Sequence, residues 1–90
     1  MTSWARETVR TEVVALFGEH AQAGSPPVSP ESHLVADLGV DSLGVMEIMA
    51  AIEDKFTLKI PDEALREVET VADVARAIEQ RLEGEGRLTG

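Results

Sequence analysis

Few side chains in this chain are of a type and spacing that could do chemistry. Ser42, in the run Asp37-Leu-Gly-Val-Asp-Ser-Leu43, is the leading one. A serine acts as a nucleophile when a base takes its proton. Gly39-Val-Asp-Ser42-Leu-Gly44 superficially resembles the Gly-x-Ser-x-Gly elbow of hydrolases, but Val40 stands where the first glycine belongs. That elbow also needs a strand before it and a large sheet beneath it. The two histidines, His20 and His33, both fall in a loop and are poorly placed as a base for a serine at a helix start. Asp37 and Asp41 lack the intervening ligands and final Glu of a calcium loop, and Glu53-Asp54 is an adjacent pair that diverges on a helix surface. With no cysteine, a disulfide framework, a thiol nucleophile and a Cys-ligated metal are all excluded. The chain is expected to have no catalytic residue and no metal site.

The element carrying Ser42 is an amphipathic helix expected over about residues 42–55. Val45, Ile48, Met49, Ile52 and Phe56 follow i, i+3, i+4, i+7, i+11 and mark its core stripe. Ser42 then stands at a helix start, where backbone N–H groups lack intrahelical partners. A serine there commonly serves as a cap. Leu43, Met46 and Ala50 form a second row on the flank of the stripe, beside Glu47, Glu53 and Asp54. Such a row either widens the core or makes an exposed, acid-rimmed docking surface.

The other elements follow from the same rules. A first helix is expected over residues 3–17, with Ser3 as cap, Val9, Val13, Leu16 and Phe17 as its stripe and Gly18 as its stop. Trp4 reads as packing surface. Residues 18–40 form a long connection rich in breakers, with one short helical turn at Ser29-Pro30-Glu31 and with Leu34, Val35 and Leu38 pinning it to the core. Residues 57–61 interrupt the helical pattern, and Pro61-Asp62-Glu63 opens a brief third helix ending near Val68. Thr70-Val-Ala-Asp73 is an acidic capping box before a last helix whose stripe is Val71, Val74, Ala75, Ile78 and Leu82. The expected fold is all-α: a small antiparallel bundle of three long helices plus one short helix, with a long loop between the first two. Residues 1–83 make the domain; residues 84–90, Gly-rich and without periodicity, are expected to be a disordered tail.

Composition narrows the partners. Seventeen acids against eight bases give a formal net charge of −9. Phosphate neutralisation needs Lys and Arg, so a nucleic-acid partner is not expected. The excess is centred on the serine stretch: residues 31–69 hold ten acids and three bases, whereas residues 1–17 hold two of each. A focused negative field favours partners with basic surfaces. No apolar run is long enough to span a membrane and none reads as a secretory signal, so a cytoplasmic monomer is expected.

Asp37-Leu-Gly-Val-Asp-Ser-Leu43 resembles the phosphopantetheine-attachment motif of acyl carrier proteins. Glu47, Glu53-Asp54, Phe56, Ile60-Pro61-Asp62-Glu63 and Thr70-Val71 fall where that family has equivalent features, so the resemblance covers about residues 3–83. It implies a free-standing carrier of four helices that catalyses nothing. A phosphopantetheinyl transferase would move 4′-phosphopantetheine from coenzyme A to Ser42, flanked by Asp41 and Leu43, and the arm's thiol would carry acyl groups as thioesters. Acyl-transferring and chain-extending synthase enzymes would then dock basic patches on Leu43, Met46, Glu47, Ala50, Glu53 and Asp54. The acyl chain could fold into the bundle between Val45, Met49, Ile60 and Ala64. Gly44 and Lys55 stand where many fatty-acid carriers have an acid, which points to dedicated partners, as in polyketide or specialised lipid synthesis. An aminoacyl or peptidyl carrier is the alternative, although Val40-Asp41 departs from the Gly-Gly-x-Ser-Leu pattern of that type. An unmodified acidic protein-interaction bundle is the alternative from another class.

Overall fold

A computed structural model describes residues 3–20 and 27–89. Part of the breaker-rich connection, residues 21–26, lies outside the described residues. The elements in chain order are β1 (Trp4–Ala5), α1 (Arg6–His20), α2 (Ser42–Phe56), α3 (Asp62–Leu65), α4 (Val71–Gly84) and β2 (Leu88–Thr89). The three long helices and one short helix expected are found, the short one, α3, being a single four-residue turn. The all-α expectation needs one amendment, a two-stranded parallel pair with Trp4 opposite Leu88 and Ala5 opposite Thr89.

Each long helix buries the stripe its spacing predicts. Val9, Val13 and Phe17 of α1, Ile48, Met49, Ile52 and Phe56 of α2, and Val71, Val74, Ala75, Ile78 and Leu82 of α4 are all buried. Leu16 and Val45 are half-buried against them. α1 packs on both α2 and α4. It runs antiparallel to α4, since Arg6 pairs with Glu83 at 3.2 Å and Arg10 with Glu79 at 3.2 Å. Glu79 is buried, and the two arginines offset the cost of holding its carboxylate there.

Three boundaries differ from expectation. Ser3 does not cap α1, because Trp4 and Ala5 are drawn into the strand pair and the helix starts at Arg6. Gly18 does not stop it: the positive-φ glycines among the described residues are Gly39 and Gly86, and α1 runs through Gly18 to His20. α3 ends at Leu65 rather than near Val68.

The connection before α2 is tied to the start of α4. Residues 29–32 form a turn closed by Ser32 N–H to the Ser29 carbonyl at 3.0 Å. The carbonyls of Ser32 and Pro30 then accept the Val71 and Ala72 N–H groups at 3.0 and 2.8 Å. These are first-turn donors of α4 that have no intrahelical partner. The Thr70–Asp73 capping box forms as the sequence predicts and satisfies the next. Leu34 donates to the Glu69 carbonyl at 2.9 Å, and His33 and Thr70 form an antiparallel bridge. Leu34 and Leu38 pin this loop to the core, but Val35 does not: it is 69% exposed, because the bridge turns Leu34 inward and its neighbour out.

The end of the chain departs furthest from expectation. Gly86 adopts φ 72°, Gly86 N–H bonds the Glu83 carbonyl at 3.0 Å and Arg87 N–H bonds the Leu82 carbonyl at 2.8 Å. This pair of bonds around a left-handed glycine is the Schellman termination of α4. It reverses the chain, which is why β2 runs parallel to β1. Arg87 is buried; its Nη1 donates to the Thr57 carbonyl at 3.0 Å and to Glu85 at 2.9 Å, and its Nη2 donates to the Phe56 carbonyl. Residues 85–89 are therefore packed on the bundle rather than disordered.

Candidate functional site

The site is the start of α2 and the surface that follows it. Asp41 precedes the helix in extended geometry, φ −89° and ψ −177°, and its carboxylate accepts the Gly44 N–H at 2.8 Å. Its carbonyl accepts the Val45 N–H at 2.9 Å. Asp41 is thus the cap, and Ser42 is the first residue of the helix rather than its cap. The description of Ser42 extends to its backbone, with its hydroxyl outside it.

Gly44 has a local role here. A Cβ at this position would come within 3.1 Å of Val40 Cγ1 and 3.3 Å of Asp41 Oδ1. Glycine leaves room for buried Val40 and the capping carboxylate on the same turn. The approach to the helix is set by a second aspartate: Asp37 Oδ2 accepts the His33 N–H at 2.7 Å, and Gly39 takes φ 65° so that Val40 N–H can reach the Leu34 carbonyl at 2.9 Å.

The second apolar row does not widen the core. Leu43 is 65% exposed and Met46 68% exposed, and Ala50 is exposed too. Beside them Glu47 and Asp54 are exposed. Glu53 is half-buried, and its Oε2 accepts the Ile60 N–H at 3.0 Å, so this carboxylate holds the segment after α2 in place. Lys55 turns to α1 and pairs with Glu12 at 2.7 Å, a contact that raises its pKa. Its charge is directed to α1 instead of offsetting the acids of the exposed row.

A cavity of about 240 Å³ lies beside the first turns of α2, lined among others by His33, Val35, Val45, Met49, Val68 and Val74. Val45 and Met49 were expected to line an internal space. Ile60 and Ala64 were expected there as well but do not line this one. His33, Val68 and Val74 were missed, because the contact between loop and α4 start that brings them together is not local in sequence.

Among the described residues no group of three or more His, Cys, Asp or Glu could hold a metal ion, and no helix is long and apolar enough to cross a membrane. The arrangement does suit a covalently attached phosphodiester. It offers the N-terminus of a 15-residue helix, whose dipole and outward N–H groups tolerate an anion. The capping duty is discharged by Asp41, and the flanking Asp41 and Leu43 are both exposed.

Comparison with known proteins agrees with this geometry. The family model described as "Phosphopantetheine attachment site" matches residues 8–78. The chain is 40% identical over 68 residues to an acyl carrier protein of Helicobacter pylori, covering 76% of this chain and 87% of that one. It is 46% identical over 61 residues to one of Wolinella succinogenes, covering 68% and 80%. In fold it is similar to a solved Mycobacterium tuberculosis protein described as a candidate acyl carrier protein, with a TM-score of 0.69 and 24% identity over 78% of this chain and 93% of that one.

Proposed function

The chain belongs to the acyl carrier protein family, whose members hold 4′-phosphopantetheine covalently, and on that premise we propose that Ser42 is the attachment residue. The observation that carries this reading is the division of labour at the start of α2. Asp41 supplies the cap, so Ser42 is not needed to close the helix, and the row that follows it is apolar and exposed. When bound, the arm supplies a terminal thiol that holds an acyl group as a thioester.

The residues of the chain position and present that arm. Asp41 fixes the first turn of the helix that begins at position 42. Leu43, Met46 and Ala50 form the apolar centre of a docking face, and Glu47 and Asp54 form its charged rim. A partner with a basic rim, whether the phosphopantetheinyl transferase or a synthase enzyme, is drawn in by these acids and seated on the apolar row. Glu53 belongs to this face in sequence but acts mainly by holding Ile60. With Gly44 bare and Glu53 engaged, the face offers fewer free carboxylates, which supports a dedicated set of partners in polyketide or specialised lipid synthesis over the general fatty-acid enzymes. The chain itself catalyses nothing in this scheme, and its place is the cytoplasm.

Intact mass after incubation with coenzyme A and a phosphopantetheinyl transferase tests the attachment. A gain of one phosphopantetheine in the wild type and none in Ser42→Ala is expected. Modification that persists in Ser42→Ala would remove Ser42 from this role.

A further inference from the structure

The chain holds three methionines, Met1, Met46 and Met49, and no cysteine. Met1 lies outside the described residues. The two on α2 are close in sequence but differ sharply in surroundings. Met46 is 68% exposed, whereas Met49 is 6% exposed and belongs to the core cluster. A thioether becomes a sulfoxide where an oxidant can reach it, so the fold offers one of this pair and shields the other. With no cysteine thiol to compete, Met46 carries the accessible sulfur among the described residues. Its place is also particular. It stands between Leu43 and Ala50 in the exposed row, beside Glu47 and one helical turn beyond position 42. The side chains of Leu43 and Ala50 are pure hydrocarbon, so the sulfur of Met46 is the one atom of the row that can turn polar without a change of residue.

We propose that Met46 is a redox modification site, and that its oxidation to the sulfoxide by hydrogen peroxide switches off docking on the α2 face. The inference rests on the reading of Ser42 as the attachment residue and of the row beside it as the partner face. In the oxidation a sulfur lone pair attacks one peroxide oxygen, the O–O bond breaks, an S=O bond forms and water leaves. Sulfur loses two electrons and peroxide gains them. Reduction by a dithiol reverses the change, giving back the thioether with a disulfide and water. The sulfoxide oxygen is a hydrogen-bond acceptor that water satisfies on the free carrier. A partner seated on Leu43, Met46 and Ala50 strips that water away, and an apolar partner surface offers no donor in its place. The bundle itself loses nothing, because Met46 stands mostly outside the core. Stability and docking are thus separable at this residue, as a reversible switch requires.

The test uses the full chain before modification, which lacks the arm's thiol and so confines sulfur oxidation to the methionines. It is treated with hydrogen peroxide, and peptide mapping by mass follows each sulfoxide. The peroxide is then removed, and KM and kcat for phosphopantetheine transfer from coenzyme A are measured. Met46 should be converted about tenfold faster than Met49. The KM for the carrier should rise about tenfold at unchanged kcat and unchanged urea midpoint, the scale of one polar group buried without a partner. Methionine sulfoxide reductases, one for each sulfoxide epimer, should restore it. Each variant is compared with its own untreated sample: peroxide should leave the KM of Met46→Leu unmoved and should raise that of Met49→Leu in full. Equal conversion of Met46 and Met49, a KM that ignores the Met46 sulfoxide, or a rise that survives in Met46→Leu overturns the inference while leaving the attachment reading intact. An untreated chain that gains no mass at Ser42 overturns both.

Discussion

The carboxylate of Asp41 and the backbone N–H of Gly44 meet at 2.8 Å, and this bond closes the first turn of α2 around Ser42. Asp41→Ala should lower stability by about 1 kcal/mol, the scale of a lost N-cap, while Asp41→Asn keeps an accepting oxygen and most of that stability. Urea midpoints of the two variants would show the difference. Equal midpoints would mean that the bond contributes nothing to the helix.

Leu43 and Met46 are mostly exposed and touch no core that their truncation would disrupt. Leu43→Ala and Met46→Ala should leave the denaturation midpoint within about 0.5 kcal/mol of wild type. Their transfer of phosphopantetheine should nevertheless slow, through a rise in KM for the carrier. A large loss of stability would place this row in the core instead.

Thr57 ends α2 at φ 53°, ψ 55°, a left-handed conformation that a β-branched residue adopts at a cost. Arg87 bonds its carbonyl and helps hold it there. Thr57→Gly should stabilise the protein by about 1 kcal/mol, because glycine takes that conformation without strain. Thermal unfolding would register the gain as a higher Tm.

Arg87 ties the end of the chain to the carbonyls of Phe56 and Thr57. Arg87→Ala should cost about 2 kcal/mol, the scale of hydrogen bonds from a charged group. Lysine should restore little of it, since its ammonium cannot reproduce the planar fork. Trp4 packs edge-on against Phe56 with ring centroids 4.5 Å apart, and its backbone N–H donates to the Arg87 carbonyl at 2.7 Å. Its fluorescence should therefore shift in the variant, and an unchanged spectrum at full stability would detach the tail from the bundle.

Asp73 accepts the N–H groups of Glu69 and Thr70, both at 3.0 Å, and these bonds hold its carboxyl below the usual carboxylate pKa. A carboxyl depressed in the folded state contributes stability that is fully present above its unfolded pKa, about 3.9, and is lost as pH falls through the folded value. The stability gap between wild type and Asp73→Ala should be widest near neutral pH and narrow with acid. A gap that stays constant down to about pH 2 would assign Asp73 no ionic role.

The sequence alone determined what depends on neighbours within a turn or two. The stripe Ile48, Met49, Ile52 and Phe56, the Thr70–Asp73 capping box and the Asp41-Ser42-Leu43 motif with its flanking row are all local patterns. Helical geometry converts such spacing directly into faces and caps. Gly86, just past a periodic run, stands where helices commonly end, but in a Gly-rich stretch without periodicity it reads as part of a disordered tail. Tertiary structure decided the rest. Leu34 and Val35 are adjacent and alike in type, and only the bridge between His33 and Thr70 turns one inward and the other out. Glu53 and Lys55 read alike as surface charges until Ile60 and Glu12 claim them. Arg87 is polar in sequence and buried in the fold, because the carbonyls it needs lie thirty and thirty-one residues away at the end of α2. Contacts at such separation depend on how helices pack, and no periodicity in the chain records them.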